Sequence, residues 1–208
     1  MKSHKGLIIY FDGPDGAGKS TQLKMAAGAL RAEGHKVFET RTMGGTIIGE
    51  KLREALLAET ERPAETDLHI AVATQYALAD EVRKRRNQGE IVLLDRSPLS
   101  IIGYQVYADG LDKDLGFETV ADLLDLFQSD LLIIYTASKE TLAVRRLERN
   151  RLVGTDYFEN KPADYHNKVA KGFADAAVHF GACTIDAEAD LEHVHDATMK
   201  QIKAILKP

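Results

Sequence analysis

The run Gly13-Pro14-Asp15-Gly16-Ala17-Gly18-Lys19-Ser20 carries glycines, a lysine and a hydroxyl at the spacing G-x-x-x-x-G-K-[ST]. Glycines let the backbone turn tightly, so that successive N–H groups point at phosphate oxygens. A helix opening at the end of the run directs its positive end at the same anion. In such a loop Lys19 neutralises the β- and γ-phosphates and Ser20 can ligate Mg²⁺. Further along, Asp95 and Arg96 follow a short apolar run. A carboxylate at the C-terminal edge of a buried strand can face Mg²⁺ directly or through water. Arg96 offers a planar fork suited to bidentate phosphate binding. A carboxylate inside the phosphate loop, Asp15, is unfavourable beside polyphosphate unless it has another task. The chemistry implied is phosphoryl transfer, which asks a protein mainly for positioning and charge neutralisation.

These residues need elements to hold them. Short apolar runs occur at Leu7–Phe11, Lys36–Thr40, Ile91–Leu94, Leu131–Tyr135 and Cys183–Ile185. They do not alternate, which suits strands buried on both faces of a parallel sheet. Helical spacing is predicted over 19–33, 65–88, 117–128, 138–149, 162–180 and 190–206. Strands alternating with helices imply βαβ units and a doubly wound α/β sheet. No repeat, low-complexity tract or linker divides the chain, so residues 1–208 are expected to form one domain.

The bulk numbers exclude several classes. The net charge of −5 and pI near 5.8 do not suit a nucleic-acid backbone. The single cysteine, Cys183, rules out an internal disulfide and a multi-cysteine zinc site, and is expected in the core. The N-terminus is basic but its apolar run is too short for a signal peptide, and no run approaches a membrane span, so a cytoplasmic location is expected. The histidines show no metal-ligand pairing, and His166 is expected to pack or cap. The basic run Arg83-Lys84-Arg85-Arg86 is expected to serve structure at a helix C-terminus.

The blocks of this sequence resemble the thymidylate kinase family in order and over most of the chain. The first is Asp12 to Gln22. The second is Thr40-Arg41-Thr42-Met43-Gly44-Gly45-Thr46 with Gly49-Glu50-Lys51-Leu52-Arg53. The third is Asp95-Arg96-Ser97-Pro98-Leu99-Ser100 with Gly103-Tyr104-Gln105. Asp156-Tyr157-Phe158-Glu159 and Tyr165 to Phe173 resemble that family's lid and the helix after it. The resemblance implies a P-loop NTPase fold: a five-stranded parallel sheet, helices on both faces, and a short basic lid at about 149–159. It implies ATP and Mg²⁺, dTMP as acceptor, a homodimer, and direct in-line transfer without a covalent intermediate.

By that resemblance the nucleotide-binding run extends from Gly13 to Thr21. Arg41 and Arg96 hold the acceptor phosphate, Asp15 contacts the acceptor sugar, and Ser100 and Tyr104 lie among the acceptor-binding residues. Some members carry an arginine in the phosphate loop where this chain has Gly16. Such a chain draws the missing cation from its lid, here Arg149 or Arg151, with Arg145 reaching the adenine or the α-phosphate.

Three blocks depart from the family pattern. Thr42-Met43 stands where Glu-Pro is usual, and Ser97 where an aromatic is usual. On the long helix the base-contacting aromatic and arginine positions fall on Ala71 and Gln75. Glutamine can read a base edge, since its amide donates and accepts. Deoxynucleoside kinases use a glutamine so and carry an acidic-Arg-Ser run like Asp95-Arg96-Ser97, which leaves them, or a monophosphate kinase of different base preference, as the alternative. A nucleotide-dependent switch is disfavoured because the chain has no Asn-Lys-x-Asp.

Overall fold

The strand β1 (Ile8–Asp12) is buried along its whole length and shows why the sheet needs cover on both sides. Side chains alternate across a strand. Ile8 and Tyr10 pack in one cluster with Leu78, Ala79 and Val82, while Ile9 and Phe11 pack in another with Leu23, Ala26 and Ala27. The computed structural model describes residues 5–58 and 60–206. The basic N-terminal residues 1–4 and the ends of the expected 1–208 domain lie outside them.

Five parallel strands form one sheet in the order β2-β3-β1-β4-β5. Beside β1 these are β2 (Val37–Arg41), β3 (Ile91–Asp95), β4 (Leu131–Thr136) and β5 (Cys183–Asp186). The α/β class and the five parallel strands expected from sequence are borne out. The helix α1 (Lys19–Ala32) packs with α7 (Leu191–Leu206) on one face, and α3 (Ala64–Asn87) lies on the other. The remaining helices are α2 (Ile47–Leu57), α4 (Lys113–Phe127), α5 (Lys139–Val153) and α6 (Ala163–Phe180).

Register brings the chemistry to one edge. Arg41 pairs with Asp95, and Asp95 pairs with Phe11, so all three strands end at one level where the phosphate loop begins. That is the carboxyl end of the sheet, where open α/β sheets hold ligands.

Three elements differ from the sequence expectation. The helix α2 was not anticipated; Thr46 caps it by accepting from Gly49 N at 2.9 Å. Residues Ile102–Ala108 form a π-helical stretch packed on α6, with Gly103 and Gly172 at the crossing, where a Cβ on Gly172 would lie 2.8 Å from Gly103 Cα. Third, α5 runs to Val153, so the first part of the expected lid is the last turn of a helix.

A further expectation is met. Arg86 binds Gly6 O, Gln128 O and both oxygens of Asp130, tying α3 to the turn before β4. Cys183, expected in the core, is instead a half-buried free thiol on the edge strand β5. Among the described residues no helix is long and apolar enough to cross a membrane.

Candidate active site

The phosphate loop is pressed between β4 and α5. Gly13 has φ 138°, and a Cβ there would lie 2.4 Å from Tyr135 O. Gly16 has φ 92°, and its Cβ would meet Leu142 O at 2.7 Å. Only glycine fits both the left-handed backbone and the space. Gly18, at φ 83°, starts α1 with no side-chain cap and no acidic residue in the first turn. By contrast α2, α4 and α5 are capped by Thr46, Asp112 and Ser138. The first turn of α1 is thus left to bind an anion.

Behind the loop stands Asp12, fully buried. Its carboxylate accepts from Gly13 N at 2.8 Å, Ser97 N at 2.7 Å and Ser97 Oγ at 2.8 Å, and from Ser100 Oγ at 3.0 Å. Burial pushes this carboxyl up, and the Arg96 and Lys19 charges, with the Gly13 and Ser97 hydrogen bonds, pull it back. Ser97 therefore has a task that an aromatic ring could not perform. Its two donors fasten the turn after β3 to the start of the phosphate loop. Arg96, directly before Ser97, is held at φ 69°. A non-glycine residue in that region is strained by about 1–3 kcal/mol, and such strain collects at functional sites.

In front of the loop Asp15 gathers the cations. It accepts from Arg96 Nη2 at 2.7 Å, Lys19 Nζ at 3.2 Å and Tyr104 OH at 2.6 Å, and Arg149 Nη1 lies 3.6 Å away. Burial alone would raise the Asp15 carboxyl, yet the Arg96 and Lys19 charges, with the Tyr104 hydroxyl, hold it well below the usual carboxylate range. Burial lowers Lys19 from its ordinary value, and the Arg96 charge lowers it further. Lys19 also donates to Pro14 O at 3.4 Å. Arg96 lies over the Tyr104 ring at 5.3 Å.

One cleft at this point is lined by Asp15, Lys19, Ser20, Arg41, Met43, Arg53, Asp95, Arg96 and Arg149. Five cations meet there. Arg41 is half-exposed and paired with Glu50, which also accepts from Gly45 N at 2.8 Å. Ser20 donates its hydroxyl to Asp95 Oδ2, while Asp95 Oδ1 is buried without a hydrogen-bond partner. An orphaned carboxylate oxygen beside a loop hydroxyl fits a hard divalent cation. Among the described residues no cluster of three or more His, Cys, Asp or Glu could hold a metal alone, so phosphate oxygens would complete the ligand set.

Two cavities adjoin this cleft. On one side Asp15, Met43, Arg53, Leu56, Leu57, Arg96, Ser100, Tyr104, Gln105, Asp156 and Phe158 line a cavity open to solvent. On the other, Ala17, Gly18 and Thr21 face Arg145, Ala187 and Leu191 across a second cavity. Arg145 donates to Ala187 O at 2.8 Å, closing its far wall.

The structure thus brings together the loop residues, Asp15, Arg41, Asp95, Arg96, Ser100, Tyr104 and Arg149. Arg151 is exposed on the last turn of α5 and outside these cavities. Ala71 and Gln75 are fully buried in α3 and do not line the cavity. Met43 lies on the cavity wall and accepts from Thr74 Oγ1 at 3.6 Å, which places its side chain against α3. Both polar atoms of Gln75 are without partners.

Sequence reading passed over Asp12, Arg53, Met43 and Gln105 as site residues. Asp12 had a signal, a carboxylate closing a wholly apolar strand, and Gln105 followed Tyr104 in a recognised block.

The Thymidylate kinase family model matches residues 11–198. The chain is 33% identical to a thymidylate kinase of Caldicellulosiruptor saccharolyticus, the alignment covering 98% of each chain. It is 31% identical to that of Bacillus licheniformis over 97% of each chain. It is 36% identical to that of Gluconobacter oxydans over 81% of this chain and 80% of the relative. With a family model matched over nearly its whole length and relatives above 30% identity, this chain belongs to the thymidylate kinase family.

Proposed function

We propose that this chain transfers the terminal phosphoryl group of ATP directly to dTMP, giving dTDP, as a cytoplasmic homodimer. The observation that carries a monophosphate acceptor is the state of Asp15. A nucleoside hydroxyl must lose its proton to attack, so it needs a base. Asp15 is bound to Lys19, Arg96 and Tyr104 and held well below the usual carboxylate range, which makes it a weak base. Asp156, the other carboxylate on the acceptor cavity, is pushed up by burial, but its Oδ1 is committed to Phe158 N and Glu159 N, each at 3.0 Å. A monophosphate needs no base, because its second ionisation near pH 6 leaves an anionic nucleophile. The arginines around the cleft suit such an acceptor.

In this reading the amides from Gly13 to Thr21 and the start of α1 wrap the ATP phosphates. Lys19 bridges them, and Arg145 borders the adenine cavity. Arg41, Arg53 and Arg96 hold the acceptor phosphate in line. Asp15 keeps Arg96 and Tyr104 aimed and faces the acceptor sugar, with Ser100 supporting that wall through Asp12. Gln105 offers its amide to the base, with Tyr104 and Phe158 as ring neighbours 5.5 Å apart. Arg149 supplies charge from the lid, with Arg151 following on the same turn. Ser20 and Asp95 would hold Mg²⁺, which neutralises phosphate charge when bound. Water is kept out by the lid over the cleft.

An assay of ADP release tests the reading against dTMP, thymidine and the other deoxynucleosides and deoxynucleoside monophosphates. ADP formed with dTMP supports it. ADP formed with thymidine and none with dTMP would replace it with a nucleoside kinase. Sedimentation at micromolar protein tests the dimer.

A further inference from the structure

Arg62 lies outside every cavity described above, yet its guanidinium makes four hydrogen bonds. It sits between α2 and α3 with a side chain only 10% exposed. Nη1 donates to Ala58 O at 3.0 Å and Thr60 O at 2.9 Å, and Nη2 donates to Leu56 O. Nε donates to the buried Asp67 carboxylate at the start of α3. The plane of the group lies over the Tyr157 ring at 4.7 Å. One planar fork therefore satisfies three carbonyls at the end of α2 and a carboxylate on α3, and its face meets the lid.

These partners border the acceptor cavity from two directions. Leu56 and Leu57 form one wall, and Phe158, beside Tyr157, forms another. Residues 156–160 make a tight turn. Asp156 Oδ1 caps two amides, and Asn160 N donates to Asp156 O at 3.1 Å. That turn carries the Arg62 contact at Tyr157 and, two residues on, the ion pair of Glu159 with Arg149. Arg149 in turn reaches Asp15. A continuous chain of contacts runs from the α2 wall through Arg62 and the 156–160 turn to the lid arginine.

We infer that Arg62 is a positioning residue that couples the acceptor wall at Leu56 and Leu57 to the lid, so that the wall's position sets where Arg149 stands. The inference rests on the phosphoryl-transfer reading for its kinetic arm alone. Lysine at this position keeps a charge for Asp67 but cannot reach three carbonyls and stack on Tyr157 at once.

Hydrogen exchange without ligand tests the coupling whatever the acceptor. In Arg62→Lys and Tyr157→Leu, the amides of 156–160 should exchange at least tenfold faster, while those of β1 and β3 keep parental protection. Unchanged exchange at 156–160 overturns the inference, and loss of protection throughout reduces Arg62 to a fold-stabilising residue and overturns it too. The kinetic arm is a double-mutant cycle of Arg62→Lys with Arg149→Ala, read as kcat with dTMP. Arg62→Lys alone should lower kcat about tenfold, and if Arg62 acts through Arg149 that loss shrinks to less than about twofold once Arg149 is gone. Additive losses overturn the coupling. A parent protein that gives no ADP with dTMP defeats the functional reading instead, and hydrogen exchange then decides the coupling alone.

Discussion

Arg96 donates to Asp15 at 2.7 Å from a backbone held at φ 69°, and the turn that strains it is fastened on the far side to Asp12. The Arg96 guanidinium is thus aimed by two carboxylates of different kinds. Asp12 is sealed in the core and fixes the main chain. Asp15 faces the cleft and fixes the guanidinium.

Asp15→Asn keeps the shape and removes the charge. Lys19, Arg96 and Arg149 then repel one another with nothing between them. We expect kcat/KM for dTMP to fall about a hundredfold, the scale set by small displacements of reacting groups. Tm should fall as well, because Asp15 and Lys19 are buried and the cations lose their counter-charge. Steady-state kinetics beside a thermal melt check this; a full-activity Asp15→Asn protein would remove Asp15 from the machinery.

Asp12→Asn makes the complementary change. An amide oxygen cannot accept from Gly13 N, Ser97 N and two hydroxyls as the carboxylate does, and its NH₂ faces donors. Unpaired buried donors carry a penalty of about 1–3 kcal/mol each. Tm should fall by roughly 4–8 °C on about 2 kcal/mol lost in a chain of this size. ATP and dTMP KM should rise together, since the loop and Arg96 share this anchor. A melt and a two-substrate kinetic matrix measure both.

Much of this was legible in the sequence, and the reason is local. The strand residues Ile8 to Phe11 and Ile91 to Leu94 are contiguous and apolar, so burial on both faces could be read directly. Gly13, Gly16 and Gly18 announce their loop because no other residue fits those turns. What escaped depends on contacts far apart along the chain. Ser97 looked like a departure because its partner, Asp12, is 85 residues away. Gln75 sat at an expected base-contacting position, but Met43, from a different strand end, lies between α3 and the cavity. The π-helical stretch around Tyr104 escaped because periodicity over so few residues cannot tell it from an α-turn.

The metal reading gives a separate test. Asp95→Asn preserves the bond from Ser20 but removes the charge of the unpaired Oδ1. The Mg²⁺ concentration for half-maximal rate should rise about tenfold to a hundredfold, the range seen when metal-site partners are altered. Binding of metal-free ATP should improve or stay level, because a negative charge beside the phosphates has gone. Calorimetry with and without Mg²⁺ separates the two, and equal losses under both conditions would move Asp95 out of the metal site.

Asp109 offers a prediction about pH. Its carboxyl accepts from Tyr165 OH at 3.3 Å. Burial pushes it up to about 6, the Tyr165 hydroxyl pulls it down, Asp67 pushes it further, and Lys161 and Arg62 pull it down. Its value in the unfolded chain is the ordinary 3.8. The folded state therefore binds more protons between those two values. Stability from this group is fully present below about pH 4 and is lost as pH rises through about 6. The residue is solvent-exposed, so screening cuts the effect to at most about 1 kcal/mol. Asp109→Asn keeps an acceptor for Tyr165 and removes the titration. Its Tm should exceed the parent's by about 2–4 °C at pH 7. The gap should close as the pH is lowered towards 4, because the parent carboxyl is then protonated in the folded state. Melts at half-unit steps between pH 4 and 8 measure it, and a constant gap across that range would show that Asp109 titrates at its ordinary value.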